Sequence, residues 1–263
     1  MLILRPLADN FGEKKGVKLK VRIFCETDVG KSREINQDAY IARVLEGGAA
    51  LAVVCDGMGG ANAGNIASAK ATKTIYDYVL RSWQPGMSAS QIKNLLCSAV
   101  MSANLEVFDA ASKNEELKGM GTTVVAVIAT KAVSHIVHVG DSRAYIIRDN
   151  TLSQITTDHS MVQRMIESGQ LTADEAKSDP RKNIITRALG VEEDLNIDYN
   201  ELDLCDKDML LICTDGLSNM LSSEEILKIV SQSPCENATA QLVSAANEVG
   251  GSDNITAVLI FND

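Results

Sequence analysis

Ala49-Ala-Leu-Ala-Val-Val-Cys-Asp-Gly-Met-Gly-Gly60 is an unbroken apolar run that ends on an aspartate set among glycines. It lacks the polar–apolar alternation of a half-solvated strand, so it reads as a strand covered on both faces. Asp56 then stands where that buried strand emerges. The layout recurs at Met209-Leu-Leu-Ile-Cys213 before Thr214-Asp-Gly216, and at Ile136-Val-His-Val139 before Gly140-Asp-Ser142. If these strands are neighbours, their ends bring several carboxylates together. Such a cluster repels itself and raises its own pKa values unless cations neutralise it. Oxygen-only donors select Mg²⁺ or Mn²⁺ over Zn²⁺. Two more aspartate turns, Arg33-Glu-Ile-Asn-Gln-Asp38 and Gly251-Ser-Asp-Asn254, add to the set.

Outward from this run, short β-branched or apolar stretches bounded by turns predict further strands over 21–26, 39–45, 122–130, 134–139, 144–148, 152–155, 195–204, 208–213 and 255–261. Asp149-Asn150 is a tight-turn signal and predicts a hairpin. Two long helices are expected over 61–82 and 88–112, divided by Pro85-Gly86, and two shorter ones over 224–231 and 236–249. Ser88 with Gln91, Thr172 with Glu175 and Ser222 with Glu225 have capping-box spacing. Strands dominate and pair with sequence neighbours, while the helices come in adjacent pairs. The expected class is α+β, with antiparallel sheets and helices stacked outside them. The polar segment from Asp158 to Gly190 reads as a small flap.

The chain has 263 residues, 45% of them hydrophobic, and no linker divides its apolar segments, so one domain is expected over 21–263 after an N-terminal extension over 1–20. A formal charge of −10 argues against nucleic-acid binding, although Lys14, Lys15, Lys18, Lys20 and Arg22 make the start locally basic. Six cysteines without CxxC spacing fit buried thiols in a reducing compartment. No stretch approaches the ~18 apolar residues of a membrane span. A cytoplasmic, monomeric protein without a membrane partner is expected.

Eight segments occur in order: Arg33-x-x-Asn36-x-Asp38, Asp56-Gly-Met-Gly-Gly60, Gly119-Met-Gly-Thr-Thr123, Gly140-Asp-Ser-Arg143, Thr157-Asp-His-Ser160, Ile185-Thr-Arg-Ala-Leu-Gly190, Thr214-Asp-Gly-Leu217 and Ser252-Asp-Asn-Ile255. On these, the chain closely resembles the protein phosphatase 2C (metal-dependent serine/threonine phosphatase) family in its compact bacterial form, over about residues 22–262. The resemblance implies two stacked antiparallel sheets with a helical layer on each outer side. It implies that Asp56 bridges two Mn²⁺ or Mg²⁺ ions, that Gly57 offers its carbonyl to one, and that Asp215 and Asp253 complete the other's shell. Asp38 falls where the family holds a metal-bound water. Asp141 matches a position that helps bind a third ion, with Asp215. Arg33 matches the phosphate-binding arginine, a role suited to a guanidinium fork.

The implied activity is hydrolysis of phosphoserine and phosphothreonine on proteins by water activated between two ions, opposing a serine/threonine kinase. There are departures. Gln37 stands where eukaryotic members have Glu, Met58 where they have the histidine proposed as general acid, and Ala61 where many bacterial relatives have histidine. His159 could serve as the acid only if the flap carries it over the site; His135 and His138 read as structural. The competing reading is a non-catalytic relative that binds a phosphoprotein, which would be expected to lose a metal aspartate or Arg33. Neither is lost.

Overall fold

The computed structural model describes residues 21–60 and 63–263. The expected extension over 1–20, with Lys14, Lys15, Lys18 and Lys20, and Ala61 lie outside them. The first half runs β1 (Val21–Asp28), β2 (Asp38–Val44), β3 (Ala50–Met58), α1 (Ala63–Ser82), α2 (Ala89–Lys113), β4 (Gly121–Thr122), β5 (Val124–Ala129) and β6 (Val133–Val139). Then follow β7 (Arg143–Arg148), β8 (Thr151–Gln154), α3 (Met161–Glu167) and α4 (Ala173–Ser178). The chain ends with β9 (Asp198–Asp203), β10 (Met209–Cys213), α5 (Asp215–Ser218), α6 (Ser223–Gln232), α7 (Cys235–Val249) and β11 (Ile255–Asn262).

The strands form two antiparallel sheets, one ordered β1-β11-β10-β7-β8 and the other β2-β3-β5-β6-β9 with β4 attached to β3. The opening run shows why they stack. Along β3, Ala50, Ala52 and Val54 meet Ala144, Ile146, Leu210, Ile212 and Val258 of the opposite sheet. Leu51, Val53 and Cys55 point the other way, onto Ala67, Ala71 and Ile75 of α1 and Leu96, Ala99 and Val100 of α2. On the far side, α6 and α7 cover Leu211, Cys213, Ala257 and Leu259 with Ile226, Val230, Leu242 and Ala246. Each fully buried Val or Leu contributes roughly 1.5–3 kcal/mol, so a strand apolar on both faces demands a layer on each. The result is helix, sheet, sheet, helix.

Local signals act as read. The three capping boxes form at Ser88, Thr172 and Ser222. Asp149 and Asn150 adopt φ of 49° and 56°, the two left-handed residues that a two-residue hairpin needs, and join β7 to β8. The strand expected over 122–130 is interrupted at Thr123, whose backbone and hydroxyl turn to Asp56 instead. Between Asp158 and Gly190 the chain forms α3 and α4, with a bridge from Ser160 to Ile185 closing the base of the segment.

Candidate metal centre

β2 and β3 pair in a register that sets Asp38 opposite Asp56. Two carboxylates facing each other across a ladder repel, so the pairing needs compensation. Asp38 finds part of it in the other sheet. Its Oδ2 accepts from the hydroxyls of Thr214, at 2.9 Å, and Thr256, at 2.6 Å. Its Oδ1 is buried with no hydrogen-bond partner. Asp56 is fixed through its backbone: the Thr123 hydroxyl accepts from its N–H, and its carbonyl accepts from Thr123 N–H and the Thr122 hydroxyl, both at 2.8 Å.

Gly57 follows, and a Cβ there would stand 2.0 Å from the Gly64 carbonyl oxygen. Gly64 returns the constraint, since its own Cβ would meet the Gly57 carbonyl oxygen at 2.6 Å. The Gly57 carbonyl therefore lies against the first turn of α1, a contact only two glycines permit.

Asp215 opens α5 directly after β10, and its carboxylate accepts from Asn219 Nδ2 at 3.0 Å. Asp253 lies just before β11 and accepts from Arg33 Nη2 at 2.8 Å. Arg33 is about half exposed at the rim. Its loop is pinned to the Gly251–Asn254 turn: Asn254 Nδ2 donates to the carbonyls of Val29 and Ile35, Asn254 Oδ1 accepts from Gln37 N–H, and Lys31 and Ser32 donate to the Gly251 carbonyl. Asn254→Ala removes three hydrogen bonds at about 1 kcal/mol each. The expected result is a loss of about 2–4 kcal/mol in urea unfolding together with a raised KM, because the Arg33 loop is released. Wild-type stability in that variant would mean the turn holds without the side chain.

Electrostatically these groups are one unit. Burial, and then Asp38, Asp215, Asp141 and Asp253 in that order, hold the Asp56 carboxyl well above the ordinary range. Burial pushes Asp38 up to about 7 against the two threonine hydroxyls, with Asp215 and Asp253 adding to the rise. Burial and then Asp215 carry Asp141, in the turn between β6 and β7, to about 7 as well. Asp215 is raised by burial and Asp253, while a hydrogen bond to Asp56 opposes the rise. Self-repulsion of this kind, an orphaned buried oxygen on Asp38 and an all-oxygen donor set fit hard divalent cations.

The sequence of residues 29–259 matches the family model described as protein phosphatase 2C. This chain belongs to the protein phosphatase 2C family. Protein phosphatase PhpP of Streptococcus pneumoniae is 37% identical over 239 residues, covering 89% of this chain and 94% of that protein. The serine/threonine phosphatase Stp1 from Staphylococcus aureus superposes with a TM-score of 0.86 at 33% identity, covering 94% of this chain and 96% of that one. The catalytic domain of the serine/threonine protein phosphatase PstP, solved in complex with two manganese ions, superposes with a TM-score of 0.80 at 30% identity, over 92% and 97% of the two chains.

In this protein phosphatase 2C chain the three histidines find their hydrogen-bond partners outside the aspartate cluster. His135 Nδ1 bonds to the Tyr199 hydroxyl at 2.8 Å. His138 Nε2 donates to the Thr157 carbonyl, and its ring stacks on His159 with centroids 4.7 Å apart. His159 is 5% exposed, and its Nδ1 accepts from Gly140 N–H at 3.1 Å. That bond leaves the hydrogen on Nε2, which stands 3.2 Å from the Asp198 carboxylate and 3.1 Å from Arg187 Nη1. Burial, reinforced by His138, lowers the His159 pKa, against the opposing pull of Asp198. His159 is thus an internal tie rather than a general acid. His138, His159 and Asp198 do bring donor atoms within 4.8 Å of one another. Stacked rings aim their in-plane lone pairs side by side, however, and Arg187 already holds Asp198 at 2.8 Å, so this is a hydrogen-bond network.

Several site residues escaped the sequence reading. Thr214, Thr256, Thr123 and Asn254 sit inside or beside the motifs yet were not singled out, and Asn219 lies one helical turn beyond Asp215. Their signal was adjacency to the aspartate turns. The buried-thiol expectation holds for Cys55 and Cys213, whereas Cys205 is exposed.

Proposed function

We propose that the aspartate cluster holds the ions of a protein serine/threonine phosphatase: Asp56 bridging two Mn²⁺ or Mg²⁺ ions, the Gly57 carbonyl on one, Asp215 and Asp253 on the other, Asp38 acting through water, and Asp141 with Asp215 holding a third. The single observation that carries this reading is the convergence of five strand-end carboxylates, with burial and then mutual repulsion raising the pKa values of Asp38, Asp56, Asp141 and Asp215. When bound, the ions supply an activated water and positive charge against the phosphoryl oxygens. The protein's own part is orientation. The two sheets present the carboxylates from opposite sides, and the threonine hydroxyls on Asp38 lock one of them in place. Arg33 offers a guanidinium at the rim for the substrate phosphate.

A thiol nucleophile is disfavoured at the two cysteines nearest the cluster, since burial pushes Cys55 and Cys213 up to about 12. The non-catalytic reading is set aside, because every carboxylate it would be expected to lose is present and the relatives are named phosphatases. The substrates proposed are phosphoserine and phosphothreonine proteins, with a serine/threonine kinase as the opposing activity. Six free cysteines support a reducing, cytoplasmic setting. Among the described residues no helix is long and apolar enough to cross a membrane.

The test is turnover of p-nitrophenyl phosphate and a phosphothreonine peptide with Mn²⁺, with Mg²⁺ and with EDTA. Metal-dependent release of phosphate from both is expected, and turnover that survives EDTA would refute the metal centre. Arg33→Ala is expected to raise KM for the peptide about tenfold with a smaller change in kcat, since the exposed guanidinium binds rather than activates. A collapse of kcat at unchanged KM would put Arg33 in the transition state.

A further inference from the structure

The turn that carries Asp141 is gripped at both ends by two consecutive residues. At its start, Gly140 N–H donates to His159 Nδ1 at 3.1 Å, and His159 N–H donates to the Gly140 carbonyl at 2.9 Å. At its end, Arg143 forms a fork on Asp158, with Nε at 2.9 and 3.0 Å and Nη2 at 2.6 Å. In between, the Ser142 hydroxyl bonds to that of Thr123, which in turn accepts from Asp56 N–H. Gly140 adopts φ +110°, and a Cβ there would lie 2.6 Å from the Thr123 side chain, so the turn has no slack of its own.

The same histidine holds both ends of the flap. Its carbonyl accepts from Thr186 N–H at 2.7 Å, and its neighbour Ser160 bridges to Ile185 and caps α3. Its Nε2 reaches Asp198, the carboxylate that also receives Arg187 from the flap's return. The contacts to Gly140, Thr186 and Asp198 all run through residue 159. Displacing the flap base moves the imidazole, and the imidazole is bonded to the residue before Asp141.

We propose that His159 is the positioning residue that ties the flap to the Asp141 turn, so that flap conformation and occupancy of the third cation position, the outer one held by Asp141 with Asp215, are linked. This rests on the metal-centre reading above. Linkage is reciprocal: whatever the outer ion does to the flap, the flap does to the ion's affinity. A partner that orients a ligand from behind typically changes metal affinity 10–100-fold when removed. A phosphoprotein that presses on the flap would therefore tune the outer ion from a distance, without touching it.

The experiment is Mn²⁺ binding by calorimetry on the full chain, with hydrogen exchange over residues 161–184 as a second readout. Wild type is expected to bind a tight pair of ions and a weaker one, and exchange in the flap should slow as the weaker position fills. His159→Phe keeps a ring of similar size without the Nδ1 acceptor. It should weaken only the outer ion, about tenfold, and abolish the exchange response. His159→Asn places an oxygen near the Nδ1 position and should restore the outer ion to within about threefold.

Wild-type outer-ion affinity in folded His159→Phe, or equal loss in both variants, would overturn the proposal. So would a flap whose exchange ignores the outer ion in the wild type. Absence of any Mn²⁺ binding by the wild type would instead remove the metal-centre reading beneath it. If His159→Phe does not fold, His159→Asn decides, because a retained acceptor must retain the ion.

Discussion

Asp56→Ala is expected to abolish turnover, with kcat lower by about 10³-fold or more, the scale of losing a preorganised electrostatic contact in a buried site. Asp56 is the carboxylate against which all the others repel, and its position is held by three backbone bonds to Thr122 and Thr123 rather than by its side chain. Removing the carboxylate therefore leaves β3 in place and takes away only charge. Steady-state kinetics with Mn²⁺ from the micromolar to the millimolar range test this. Excess metal should not rescue the variant, because the proposed bridging oxygen is gone. Thermal unfolding in EDTA should show a variant at least as stable as the wild type. An active Asp56→Ala enzyme, or one rescued by high Mn²⁺, would refute the assignment of Asp56 as the shared ligand.

The second large effect concerns stability. Asp38 and Asp141 rise from 3.8 to about 7 in the folded protein, and Asp56 and Asp215 rise with them. A carboxyl whose folded pKa lies above its unfolded value favours folding only while protonated. Its contribution is complete below about pH 4 and is lost as pH climbs through about 7. Without metal the protein should thus lose stability as pH rises from about 4 to about 7. Cations reverse this, since binding at a hundredfold excess over Kd adds about 2.7 kcal/mol. At roughly 2–4 °C per kcal/mol for a chain of this size, the Mn²⁺-minus-EDTA difference in Tm should reach on the order of 5–10 °C at pH 8 and shrink toward pH 5. Using the difference between the two conditions cancels the pH response of groups outside the cluster. A gap that does not vary with pH would show that the carboxylates are not charged against one another in the metal-free protein.

The layers were readable because they rest on periodicity. A strand apolar on both faces, long helices divided by Pro85-Gly86 and capping boxes at Ser88, Thr172 and Ser222 are local consequences of burial and of unpaired N–H groups. The aspartates were readable for the opposite reason: a carboxylate beside glycine at the end of an apolar run is poor core material. The supporting cast was not. Thr256 looks like an ordinary strand residue and Thr214 like a turn residue until Asp38 of one sheet is seen to reach across to both of them in the other. Asn254 ties three backbone groups more than 200 positions away, and no spacing rule reaches that far. His159 shows the same limit. Its motif was visible, but its partner Gly140 is contributed by another turn, and only the fold reveals that the ring faces inward. The four-residue α5 was missed because one turn has no period to detect.

The first described strand, β1, pairs along its whole length with β11 at the far end of the chain, and Asp253 enters the cluster at the start of that last strand. Asp38 and Asp56 are made more than 150 residues earlier. On a ribosome, the sheet carrying the latter two can assemble before β10 and β11 of the other are made, so a growing chain holds unpaired edges and half a cluster until β11 emerges. Loop closure over such separations makes folding slow, and exposed edges in that interval invite association. The same topology delays the site: a chain made only as far as β10 lacks Asp253, so the proposed metal centre cannot be complete before the turn ahead of β11 exists.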